Sequence, residues 1–196
     1  MSFLEHNIVD LDHIKPRSYG YYENAFSKTT FSFICDYVAT LNLTDSSDKI
    51  DKTSPTSLKR KEALIPFQEK TSIFYKELFN LILKSNKNYE FDLDYVADLL
   101  YMEYYGDEQS YLDWHMDVAN GNLYNKRKIS FTINLNNNKE FKGGNLELFI
   151  DRNPITLPVN SNSITIFPSY FLHRVLPITE GIRKCIVGFI GGRPFR

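Results

Sequence analysis

Residues 128–137, KISFTINLNN, alternate apolar Ile129, Phe131, Ile133 and Leu135 with polar Ser130, Thr132, Asn134 and Asn136. Successive side chains of a strand point to opposite faces, so one face of this segment meets an apolar core and the other looks into something polar. The same period of two, broken by Gly, Asn, Asp and Pro clusters, places further strands near 98–105, 110–117, 127–136, 145–150, 163–167, 173–176 and 183–190. Upstream the rhythm becomes helical. Ser27 can cap a helix whose Phe31, Ile34, Cys35, Val38 and Leu41 share one face. A second helix is expected over 68–84, with Phe74, Leu78, Leu81 and Ile82 in a stripe and Lys84 at the C-terminal end. Helices first and many short strands afterwards point to an α+β, mainly β fold: a double-stranded β-helix (jelly roll) core with N-terminal supporting helices.

At 196 residues the chain reads as a single domain, 1–196, with helical support and a polar loop over 1–88 and a β-rich core over 89–190. The loop, 44–61 (TDSSDKIDKTSPTSLKRK), is aperiodic and reads as a mobile excursion that could serve as a substrate lid. A hydrophobic content of 42% against 24% charged argues against disorder of the whole chain. The net charge of -1 offers no general pull toward nucleic acid or an anionic membrane. The start, MSFLEHNIVDLDHIKP, lacks the basic then apolar pattern of a signal peptide, and no run is long enough to span a membrane. With only Cys35 and Cys185, one in a helix and one in a strand, no disulfide framework is expected, and the setting is read as cytoplasmic.

Chemistry concentrates in the second half. In SYLDWHMD, 110–117, His115 and Asp117 share strand parity and project side by side, while Trp114 and Met116 face the other layer. A lone His-x-Asp is weak, since a hydrogen-bonded surface pair looks the same. A third ligand must come from a strand distant in sequence, and His173 in FPSYFLHRVLPITEGIRKCIVGF, 167–189, is the candidate, against the alternative of a core or turn histidine. Two histidines and one carboxylate can hold an iron by one face and leave the opposite positions open to ligands. Arg183 shares parity with Cys185, Val187 and Phe189, an apolar row where an inward arginine needs an acidic partner. A solvent-facing arginine or a structural salt bridge is the competing explanation. Tyr105, ten residues before His115, is a second candidate for an acid ligand through its hydroxyl, although most of the 13 tyrosines must be packing residues. His6 and His13 fall outside any motif and are expected to tolerate replacement.

The ordered set YGDEQSYLDWHMD (105–117), KISFTINLNNNKEFKGGNLELF (128–149) and ITIFPSYFLHRVLPITEGIRKCIVGF (164–189) resembles the 2-oxoglutarate and Fe(II)-dependent oxygenases of the prolyl 4-hydroxylase superfamily. The resemblance implies that His115, Asp117 and His173 ligate Fe(II), that Arg183 binds the far carboxylate of 2-oxoglutarate, and that Tyr105 hydrogen-bonds it. Gly143 and Gly144 match the family's paired glycines, which allow a tight turn and are structural. Some collagen-type relatives carry lysine in place of Arg183, so the arginine sides with hypoxia-type and bacterial or viral members. Related halogenases have a small residue at the position of Asp117, which favours hydroxylation here.

By that resemblance the chain is expected to be a dioxygenase using 2-oxoglutarate and O2 as cosubstrates and ascorbate as reductant. It would hydroxylate a C–H bond, first of all in a prolyl residue of a peptide or protein, and release succinate and CO2. Lys126, Arg127 and Lys128 are candidate cleft walls. A free amino acid or other small molecule is the alternative substrate, and a non-catalytic metal-binding jelly roll the alternative of another class. Nucleic acid is disfavoured as a partner, since no aromatic and basic stacking platform is evident.

Overall fold

A computed structural model describes residues 19–45, 60–119, 124–150 and 152–194. His6, His13 and most of the polar loop lie outside the described residues. The expected architecture is present. Two helices, α1 (Lys28–Ala39) and α2 (Ser72–Asn86), pack on one face of a large antiparallel sheet, and a small antiparallel sheet lies across the other.

In chain order the strands are β1 (Gly20–Tyr22), β2 (Thr44–Asp45), β3 (Arg60–Leu64), β4 (Leu93–Tyr105), β5 (Leu112–His115), β6 (Arg127–Asn134), β7 (Phe141–Gly143), β8 (Leu146–Ile150), β9 (Asn153–Thr156), β10 (Ser163–Pro168), β11 (His173–Val175) and β12 (Ile178–Gly192). The large sheet runs β1-β10-β6-β12-β4-β3-β2, with β7 also paired to β12, and the small one runs β5-β11-β8-β9. The stretch read as helical support therefore also supplies three strands, β1 to β3, at the two edges of the large sheet. They are short and polar, so no alternation marks them. The two ends of the polar loop meet as the β2–β3 pair, Thr44 opposite Glu62 and Asp45 opposite Lys61.

The main core lies between the helices and the large sheet, where Ile34, Phe74, Leu78 and Ile82 meet Ile129, Phe131, Ile133 and Ile186. These are the apolar positions of the opening alternation, now facing the helices. A second cluster, Leu146, Leu148, Leu157, Phe167 and Val175, holds the small sheet in place. Cys35 and Cys185 are free thiols, and no described helix is long and apolar enough to cross a membrane.

Ser27 caps α1 by accepting a hydrogen bond from the Thr30 amide at 3.2 Å. The cap is reinforced from α2: Glu77 accepts from the Ser27 amide at 2.8 Å and from the Ser27 and Thr30 hydroxyls at 2.9 and 2.7 Å. Burial opposes ionisation of Glu77, yet these bonds outweigh it and hold the carboxyl below its usual range. Ser27→Ala removes the cap and one tie between the helices, and is expected to cost about 1 to 2 kcal/mol of stability in urea unfolding. An unchanged midpoint would refute this account of the cap.

Candidate active site

The two faces of β6 divide the labour of the large sheet. Ser130 and Thr132 turn away from the helices into a cavity of about 570 Å³ between the two sheets. From β4, Leu100, Met102 and Tyr104 line it; from β12, Arg183, Val187 and Phe189; from the small-sheet side, Leu112, His115, Leu146, His173 and Val175.

At one end of the cavity stand His115, Asp117 and His173, whose ligand atoms all lie within 4.8 Å of one another. His115 closes β5, His173 opens β11, and the two are register partners across the small sheet. Asp117 lies two residues beyond the end of β5, anchored by its amide donating to the Ser169 carbonyl at 3.0 Å. Each imidazole places Nδ1 at 2.8 Å from a backbone carbonyl, of Asp113 for His115 and of Phe171 for His173. Donation from Nδ1 leaves Nε2 bare in both rings. The Nε2 atoms face Asp117 at 3.5 Å (His115, Oδ1) and 3.3 Å (His173, Oδ2), and the Ser130 hydroxyl donates to Asp117 Oδ2 at 2.6 Å. A donor set of two neutral imidazoles and one oriented carboxylate, each fixed by a second hydrogen bond, fits a divalent iron.

Burial alone would lower the His115 pKa, but the hydrogen bond and charge of Asp117 outweigh it and raise it above the ordinary histidine value. His173 is driven down by burial, against the pull of Asp117. Burial also opposes ionisation of Asp117, yet His115, His173 and Ser130 hold its carboxyl below the usual range. A metal entering the site must compete with protonation of His115 Nε2, which Asp117 favours. Affinity for Mn(II) or Co(II) is therefore expected to fall as the pH is lowered through the range in which His115 protonates, and a pH-independent titration would contradict the assignment.

At the other end lies Arg183, only 2% exposed. One Nη donates to Asn134 Oδ1 at 3.1 Å, while its Nε and the neighbouring Thr132 hydroxyl are buried without a hydrogen-bond partner. A buried guanidinium with an unspent donor is costly, and an acidic ligand spanning the cavity would satisfy it. Gly144 (φ +66°) makes room for this arginine: a Cβ there would stand 3.0 Å from Arg183 Cδ and 2.8 Å from Ile178 Cγ1. Gly144 thus serves the site by packing.

Tyr105 does not reach the cavity. Its hydroxyl donates to Glu103 Oε2 at 2.7 Å on the opposite face of β4, beneath Lys61. The tyrosine beside Arg183 is its register partner Tyr104, 2% exposed, with the Arg183 guanidinium 5.7 Å from its ring centre. Burial pushes the Tyr104 phenol up, although Arg60 and Arg183 pull the other way, so it remains a neutral donor. Its present acceptor is the weak Sδ of Met102 at 3.3 Å, which a carboxylate would outcompete. Tyr104→Phe is expected to raise the 2-oxoglutarate requirement about 2- to 12-fold, the worth of one neutral hydrogen bond, and Tyr105→Phe to leave it unchanged. The reverse pattern in KM measurements would restore Tyr105.

Ser130, Asn134 and Tyr104 escaped the sequence reading as site residues, although the polar row of β6 was a signal for the first two. Of Lys126, Arg127 and Lys128, Arg127 alone lines the cavity.

Residues 100–191 match the model of the 2OG-Fe(II) oxygenase superfamily. A PKHD-type hydroxylase of Rippkaea orientalis is 33% identical over 78 residues, which cover 39% of this chain and 35% of that protein. Another, of Crocosphaera subtropica, is 26% identical over 150 residues, covering 76% of this chain and 61% of the relative. The chain thus spans between about a third and three fifths of the length of these curated relatives. Among solved structures, a Pseudomonas putida prolyl-4-hydroxylase superposes with a TM-score of 0.70 at 16% identity, over 90% of this chain and 93% of that one. A Trichoplax adhaerens prolyl hydroxylase, in complex with a peptide fragment of a hypoxia inducible factor, does so with a TM-score of 0.66 at 16% identity, over 89% and 83%. The shared property at such identities is the fold.

Proposed function

We propose that the chain is a 2-oxoglutarate-, Fe(II)- and O2-dependent dioxygenase that hydroxylates an aliphatic C–H bond of a prolyl residue in a peptide or protein. One oxygen atom goes to the product hydroxyl and the other to succinate, with CO2 released and ascorbate as the reductant that keeps the iron ferrous. The observation that carries this reading is a single cavity with a two-histidine, one-carboxylate cluster at one end and a buried, partly unsatisfied guanidinium at the other.

His115, Asp117 and His173 would hold the iron, which supplies O2 activation coupled to the decarboxylation of 2-oxoglutarate. Ser130 keeps the Asp117 carboxylate turned toward the two imidazoles. Arg183 grips the far carboxylate of the cosubstrate, Asn134 holds the guanidinium in place, and the Tyr104 hydroxyl adds a neutral donor. Leu112, Leu146, Phe167 and Val175 form an apolar wall that limits water near the reacting atoms. The prolyl hydroxylases among the solved structures of like fold support a prolyl substrate.

The test is succinate release from 2-oxoglutarate by anaerobically reconstituted Fe(II) protein, started with O2 in the presence of ascorbate and proline-containing peptides. Succinate formed in step with a hydroxylated peptide is the expected result. No turnover, coupled or uncoupled, would overturn the enzymatic reading.

A further inference from the structure

Resting on that hydroxylase reading, we infer that the cavity opens into a groove for an extended peptide and that Leu64 forms its apolar recognition site. Val187, Leu100 and Leu64 are register partners on the neighbouring strands β12, β4 and β3. Val187 and Leu100 line the cavity. Leu64 shares the parity of Arg60 and Glu62, which also line it, but lies at the rim and is 58% exposed. With neighbouring strands ~4.8 Å apart, the strip runs ~10 Å from the cavity interior out to β3. An apolar strip that begins inside the cavity and ends in solvent suits a chain longer than the cavity, rather than a small molecule enclosed by it.

Ion pairs flank this floor. On one side Arg60 Nε meets Glu62 Oε2 at 3.1 Å. On the other Arg127 meets Asp98 Oδ2 at 3.2 Å, its guanidinium lying 3.5 Å over the centre of the Phe189 ring. The cavity lining as a whole sets Arg60, Arg127 and Arg183 against Glu62, Asp98 and Asp117. A ferrous ion and the 2-oxoglutarate dianion cancel as well, so the walls hold no net charge for a ligand to neutralise. A phosphorylated or polyanionic strand would find no net positive charge in these walls to compensate its own. The occupant that fits is an electrically neutral peptide segment crossing the strands, with an apolar side chain on Leu64 within about three residues of the reacting one. β3 and Asp98 lie outside 100–191, the stretch shared with the superfamily, so both the floor and the walls are completed by chain beyond the common core.

The experiment is a library of peptides about twelve residues long with one fixed proline, read by mass spectrometry for a gain of about 16 Da, with wild type, Leu64→Ala and Leu64→Asp in parallel. Leu64 is exposed, so both variants are expected to fold, and Mn(II) binding reports whether they have. The wild type should select an apolar side chain near the proline. Leu64→Asp should lower kcat/KM for the selected peptides about tenfold or more, with Leu64→Ala between the two. Retention of the same peptides on immobilised Mn(II)-loaded protein without O2 should follow the same order, a readout independent of turnover. No apolar preference in the wild type, or the same preference in Leu64→Asp, would overturn the groove while leaving the hydroxylase reading intact. Modification of free amino acids and of no peptide would overturn the peptide occupant and the prolyl-peptide substrate together, but not the oxygenase chemistry.

Discussion

Asp117→Ala is expected to abolish iron binding and turnover together. The carboxylate is the only anionic donor of the cluster, and it faces both Nε2 atoms at 3.5 and 3.3 Å while Ser130 and the Ser169 carbonyl fix its position. Without it, two neutral imidazoles remain, and one of them, His173, is buried where an uncompensated dication is poorly tolerated. Loss of an outer partner of a metal ligand typically costs 10- to 100-fold in affinity, so loss of the ligand itself should cost more than about 100-fold. Calorimetric titration of the metal-free protein with Mn(II) or Fe(II) gives the affinity, and succinate formation the activity. Full activity in the variant would show that the ligand set has been misassigned.

Arg183→Ala is expected to separate the two ends of the cavity. Its guanidinium is remote from the metal cluster, held by Asn134 and packed against Tyr104 and Gly144, so its removal should leave metal affinity nearly intact. The loss falls on 2-oxoglutarate. A hydrogen bond to a charged group is worth about 1.5 to 3 kcal/mol, which corresponds to a rise of about 10- to 150-fold in the concentration of cosubstrate required. Arg183→Lys should recover only part of this, because a point charge cannot reproduce the planar two-donor grip. The KM for 2-oxoglutarate, measured beside the metal titration, decides the matter; an unchanged KM would remove Arg183 from the cosubstrate site.

Strand periodicity carried most of what could be read before the structure, and its limit is visible at one residue. Alternation in β6 located both the core face and the cavity face, and parity joined His115 to Asp117 and made Arg183 an inward residue. In β4 the run YMEYY puts aromatic side chains on both faces, so alternation exists without revealing its phase. Tyr105 was favoured where the pairing of Arg183 with Tyr104 selects its neighbour. The strands β1 to β3 were illegible for another reason. They have 3, 2 and 5 residues at sheet edges and take their conformation from hydrogen bonds to partners distant in sequence. Helix faces were read nearly correctly; among the buried residues outside them are Tyr37 and Tyr75, and Tyr75 packs its aromatic body while its hydroxyl donates to the Ile65 carbonyl.

The pairing of His115 with His173 has a mechanical side. β11 is only three residues long, and its register against β5 is broken after the first pair. An ion held by both histidines would act as a cross-link between segments far apart in the chain, closing a large loop at the irregular seam of the small sheet. Metal loading should therefore slow amide hydrogen exchange in β5 and β11 more than in the helix-backed β6 and β10, making the iron a fastener of the fold as well as a reagent.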